Sequence, residues 1–198
     1  MLFLLKINKI MRPKTQFHLL GWVTLIVFPL PAFLVLHYFE GISLGEFFQK
    51  DKLTLSMVLL GINAGLFYAF IILILGQFPA FQEQSVRQVR MIKALRLNWG
   101  DILFISICAG VGEELLFRAG MQFYLGPWLT SLIFVAIHGY FSFTSWKKNL
   151  PGIAVLPFIL LLAFGFEAYG LWFAIAAHAT YDFVLFSFFV SPKKAIKQ

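Results

Sequence analysis

Long apolar runs separated by short polar or basic segments set the pattern of this chain. At 1.5 Å rise per residue, ~20 apolar residues cross a ~30 Å hydrocarbon core, so each run predicts a membrane-spanning helix. The runs fall at 17–39, 53–75, 102–125, 128–143, 151–166 and 171–190. Pro29 and Pro31 predict a kink in the first span and Pro157 a local adjustment in the fifth. His18 and His37 mark the interfacial ends of the first span, and Asn63 is expected to hydrogen-bond a neighbouring helix from the second. Gly126-Pro127 and Glu167-Ala168-Tyr169-Gly170 predict turns.

The segment 77–98 has a different rhythm. Val86, Val89, Ile92 and Leu95 recur every third residue beside Arg87, Arg90, Lys93 and Arg96. That pairing of stripes predicts a basic amphipathic helix lying against anionic headgroups. Asn98-Trp99-Gly100-Asp101 then predicts a break, with Asp101 as the N-cap of the third span.

Composition agrees with the pattern: 60% of residues are hydrophobic and 13% charged, against ~25% charged in soluble domains. The fold expected is all-α, a polytopic bundle of about six transmembrane helices plus the interfacial one, forming one integral membrane domain over 1–198. Within it, 1–100 holds the N-terminal spans and interfacial helix, and 101–190 the helices richest in buried polar groups. The net charge of +7 does not mark a nucleic-acid partner, because the basic residues sit between the spans. The leader M-L-F-L-L-K-I-N-K-I is too short and too lysine-interrupted for a cleaved signal. Leader, 77–98, 145–149 and the tail with Lys193, Lys194 and Lys197 are basic, while 40–52, 126–127 and 167–170 have no basic excess. By the positive-inside rule both termini are expected to be cytoplasmic. The single cysteine, Cys108, forms no intrachain disulfide and reads as a small buried residue.

Against this background Glu113, Glu114 and Arg118 stand out. A charge at the centre of a membrane helix costs ~2.5–3.5 kcal/mol or more, so such residues pair and face a polar interior. Glu114 and Arg118 are at i,i+4 and predict an ion pair, whereas Glu113 points about 100° away and needs another partner. Counted from the same membrane face, Glu113, His138 and His178 each lie about 12–18 Å deep. Asp182 follows His178 by one turn on the same face. Separate spans therefore bring Glu, His, His and Asp to one layer, the mark of a functional site. Phe134, one turn before His138, reads as packing.

Glu113-Glu114-x-x-x-Arg118, Phe134-x-x-x-His138 and His178-x-x-x-Asp182 resemble the three motifs of the CAAX-protease and bacteriocin-processing family, with its Rce1-like intramembrane endopeptidases. The resemblance covers about 100–190. It implies hydrolysis of a peptide bond in a membrane-associated protein or peptide: a CAAX tail, a bacteriocin or pheromone precursor, or a sorting tail. It further implies catalytic Glu113, His138, His178 and Asp182, with Glu114, Arg118 and Phe134 in support. Glu113 would act as base on a water that His138 orients, and His178 with residue 182 would stabilise the oxyanion. Prenyl-protein members carry Asn where this chain has Asp182, and an ionised Asp donates no hydrogen bond. The expected chemistry needs no cofactor. The alternative is zinc held by Glu113, His138, His178 and Asp182. The expected setting is a bacterial plasma membrane, with the bilayer and a peptide substrate as partners. An immunity or assembly factor on the same fold, or a small proton-coupled transporter, are the other readings of the same residues.

Reporter fusions after Lys14, Asn149 and Gln198 should all report cytoplasmic, and one within 40–52 external. A cytoplasmic 40–52 loop would remove both the six-span arrangement and the common depth of the polar layer.

Overall fold

The computed structural model describes residues 12–140 and 146–191, with 83–85 and 148 as backbone only. The expected leader, the end of the fourth span and the lysine tail lie outside them. The described residues form helices and no strand: α1 Pro13–Ile26, α2 Pro29–Glu40, α3 Leu44–Phe47, α4 Leu55–Leu75, α5 Pro79–Ala94 and α6 Trp99–Glu114. A π-helical segment Leu115–Met121 joins α6 to α7 Gln122–Ile137, and α8 Leu150–Tyr169 and α9 Leu171–Val190 complete the bundle. Single 3₁₀ turns precede α4 and α8 at Lys50–Lys52 and Trp146–Asn149. The expected all-α membrane bundle is what the chain forms.

Among the described residues, four stretches are long and apolar enough to cross a membrane: Pro13–Glu40, Leu55–Leu75, Leu150–Tyr169 and Leu171–Val190. The α6–π–α7 stretch adds the charged span and its partner, which keeps the total near six. Phe67 and Phe70 of α4 are 65% and 62% exposed, a surface suited to lipid rather than water.

Local chemistry corrects several expectations. The first span is broken rather than merely kinked, because Pro29 starts a new helix after a turn at 27–28. The 40–52 loop contains α3, whose capping box pairs Ser43 with Glu46, and the Ser43 hydroxyl and N–H hold the Glu46 carboxyl below its usual range. Asn98, not Asp101, is the N-cap of α6: its side chain accepts from the Asp101 N–H at 2.9 Å, while Asp101 accepts from the Asn98 N–H at 2.7 Å. Asn63 donates to the Leu59 carbonyl of its own helix instead of crossing to another. The fourth span ends at Ile137, so His138 caps α7 rather than lying inside it. The turn at Gly126-Pro127 is present, with Gly126 at φ +68°, and the basic segment is helical from Pro79. Cys108 is buried, as expected.

Small residues decide which helices touch. Gly61, Gly65 and Ala69 form the buried stripe of α4, which packs along α9. A Cβ at Gly65 would strike the Ala177 carbonyl, and one at Gly61 the Phe173 carbonyl. Gly110 of α6 meets Ala179 of α9 from the other side. Close backbone approach through such residues is how membrane helices gain dispersion contacts where lipid offers no hydrophobic drive. The result is α9 held between α4 and α6, with His178 and Asp182 turned toward the Glu113-Glu114 helix.

Gly65→Leu should lower stability by about 1–3 kcal/mol or more, as overpacking does. Gly45→Ala, where an added Cβ meets nothing within 4 Å, should leave thermal unfolding in detergent unchanged. Equal melting of the two variants would contradict the α4–α9 seam.

Candidate active site

Consecutive carboxylates on α6 face different partners. Glu114 is fully buried and uses both oxygens: Oε2 accepts from Arg118 Nε at 3.0 Å, and Oε1 lies 2.7 Å from His178 Nδ1. A carboxylate only accepts, so His178 Nδ1 donates. The expected i,i+4 ion pair exists, and His178 of α9 is its third member. Arg118, also fully buried, extends Nη1 to Gln122 Oε1 at 3.5 Å. Gln122 in turn donates to the Ala163 carbonyl at 2.9 Å and to Glu167 at 3.2 Å. Through this chain α6, the π segment, α7, α8 and α9 share one polar network.

Glu113 meets the partner its position called for. Its Oε2 lies 3.4 Å from His138 Nε2, with side-chain exposures of 14% and 33%. That separation and geometry make no hydrogen bond, and Glu113 Oε2 is a buried oxygen without a hydrogen-bond partner among the described residues. His138 Nδ1 lies 2.7 Å from the Phe134 carbonyl. A carbonyl cannot donate, so Nδ1 carries a proton and Nε2 is the nitrogen turned toward Glu113.

Phe134 does more than fill space. Its ring stacks on His138 with centroids 4.1 Å apart and meets His178 edge-on at 6.0 Å. The Arg118 guanidinium lies 5.8 Å from the same ring and Phe117 packs edge-on at 4.9 Å. On α9, Asp182 Oδ2 lies 3.7 Å from His178 Nε2. Phe134 thus touches both halves of the cluster, the Glu113–His138 pair through His138 and the His178–Asp182 pair through His178, while Glu114 and Arg118 are fully buried. For the zinc alternative, no group of three or more His, Cys, Asp or Glu among the described residues is arranged to hold a metal ion. The donors that a zinc ion would have to recruit are Glu113 Oε2, His138 Nε2, His178 Nε2 and Asp182.

Comparisons with known proteins follow the same residues. Residues 95–184 match the family model described as Type II CAAX prenyl endopeptidase Rce1-like. The uncharacterized protein YpbD of Bacillus subtilis (strain 168) is 36% identical over 84 residues, 42% of this chain and 42% of that one. The chain therefore spans less than half the length of this curated relative. No solved structure matches. The matched residues span all three motifs, from Glu113 to Asp182.

Arg118→Ala should cost about 3–5 kcal/mol, because it strands Glu114 as a buried charge with half its partners gone. Chemical unfolding in detergent checks this. Wild-type stability in Arg118→Ala would mean that Glu114 does not depend on its neighbour.

Proposed function

We propose that this chain, Rce1-like over 95–184, is an intramembrane endopeptidase that hydrolyses a peptide bond of a membrane-associated protein or peptide. The observation that carries the reading is Glu113 Oε2, buried without a hydrogen bond among the described residues and 3.4 Å from His138 Nε2. A carboxylate oxygen in that state accepts the proton of a water held between the two side chains. Phe134 fixes the imidazole through its carbonyl and its ring face, so Nε2 stays aimed at the water.

The remaining groups follow from charge development. Attack on the scissile carbonyl places negative charge on its oxygen, and donors already in position lower that barrier. His178, donating Nδ1–H to Glu114, offers Nε2–H toward the oxyanion when it carries both protons. Asp182 beside it holds the ring and balances the imidazolium. The proton taken by Glu113 returns to the leaving nitrogen, which regenerates the carboxylate. The part of the network away from the substrate, Glu114 and Arg118, sets orientation and does not react. The family description makes a CAAX-type prenylated peptide the first substrate to try.

A fluorescence-quenched farnesylated peptide in lipid–detergent micelles is the assay. Glu113→Gln and His138→Ala should each abolish cleavage with thermal stability nearly unchanged. Asp182→Asn should keep much of the activity, since the amide preserves shape and adds a donor, and the purified protein should contain no stoichiometric zinc. Full activity in Glu113→Gln would overturn the glutamate mechanism. An inactive Asp182→Asn with one tightly bound zinc per wild-type chain would replace it with the metal alternative.

A further inference from the structure

The proposed mechanism leaves the oxyanion short of donors. His178 Nδ1 is committed to Glu114, which leaves only Nε2, 3.7 Å from Asp182 Oδ2. An ionised Asp182 has no proton to donate. A second neutral donor close to these groups would complete the site.

Tyr140 stands where such a donor is needed. The chain leaves α7 at His138, and Gly139, at φ +76°, turns it back. That left-handed conformation favours glycine. It lets Tyr140 fold inward against the cluster containing Phe134, Val135, Phe158 and Tyr181. Gly152 of α8 supplies the room, since a Cβ there would approach the Tyr140 Cβ to 2.8 Å. The phenol ring lies nearly parallel to His138, with centroids 6.5 Å apart and planes 19° apart. The ring thus lies in the layer of His138, whose Nε2 is 3.4 Å from Glu113 Oε2. Of the neighbouring tyrosines, Tyr68 has its hydroxyl committed to the Ala154 carbonyl at 2.7 Å, and the Tyr181 ring stacks on Phe158 with centroids 4.3 Å apart.

We infer that Tyr140 is a further catalytic residue, whose phenolic O–H donates a hydrogen bond to the carbonyl oxygen of the scissile peptide as it becomes an oxyanion. This rests on the endopeptidase reading. Water gives its proton to Glu113 and its oxygen bonds the carbonyl carbon, while the carbonyl π pair moves onto the oxygen. Tyr140 holds that oxygen without surrendering its proton. When the pair returns, the C–N bond breaks and the amine leaves with the proton from Glu113. A neutral phenol suits this place: it adds a donor without adding charge to a layer that already holds Glu113, Glu114 and Asp182.

The test uses the full-length protein and the farnesylated peptide. Tyr140→Phe keeps the ring and removes only the donor, so kcat should fall about 10²-fold with KM and melting temperature nearly unchanged. Adding Asp182→Asn to Tyr140→Phe supplies an amide donor and should recover activity by about tenfold or more. Tyr68→Phe, which loses a phenol elsewhere in the bundle, should match wild type. Wild-type kcat in Tyr140→Phe, with Glu113→Gln inactive, overturns the Tyr140 role and leaves the protease reading standing. A loss that appears in KM or in melting temperature instead of kcat assigns Tyr140 to packing and also overturns it. An active Glu113→Gln, or a wild type that leaves the peptide intact, overturns both.

Discussion

A carboxylate sealed from water is costly unless its oxygens are paired, and Glu114, fully buried, has both of them occupied. One oxygen is held by Arg118 from the same helix and the other by His178 from α9. The first bond is local and forms with the helix. The second requires α6 and α9 to be adjacent and in one rotational register. Helix packing and charge satisfaction are therefore a single requirement here. Glu113, one residue earlier, faces the neighbouring direction and is left with a free oxygen beside His138.

The ends of the bundle are tied in a similar manner. Toward one face, Lys14 and His18 of α1 reach Asp101 at 2.5 and 2.8 Å, on the first turn of α6. Toward the other, Gln49 accepts the Leu171 N–H at 2.9 Å and the Trp172 indole N–H at 3.2 Å, which fixes the start of α9. The Leu171 N–H is a helix-terminal donor with no partner within its own helix, and Gln49 supplies one. These contacts also set the axial position of α6 and α9, and so the height at which Glu114 meets His178.

Much of this was legible in the sequence because it depends on spacing. Glu114–Arg118 and His178–Asp182 are i,i+4 pairs, and helix geometry alone brings each together. Glu113–His138 could be read from depth, since a span has a fixed rise per residue. The Glu114–His178 bond could not, because which of two adjacent carboxylates faces α9 depends on helix rotation and on packing at Gly110. The α6 cap is ambiguous from sequence because a capping box is reciprocal, and Asn98 and Asp101 each carry an acceptor able to fill the cap position. Spacing does not tell whether Asn63 bonds a neighbour or the carbonyl one turn back in its own helix, which is the one it uses. Tyr140 left no periodic signal, since it lies beyond the helix and is turned inward only by Gly139. What the sequence hid was relative rotation and the path of a non-helical turn.

The early end of α7 gives the site unequal walls. Glu113, His178 and Asp182 rise from the interiors of helices, where moving one side chain's backbone means breaking several peptide hydrogen bonds at once. His138 sits one residue past the last turn of its helix, followed by a glycine in a left-handed conformation. Two of the site's walls are thus set by the bundle as a whole and the third by one phenylalanine, so that whatever displaces Phe134 carries His138 with it.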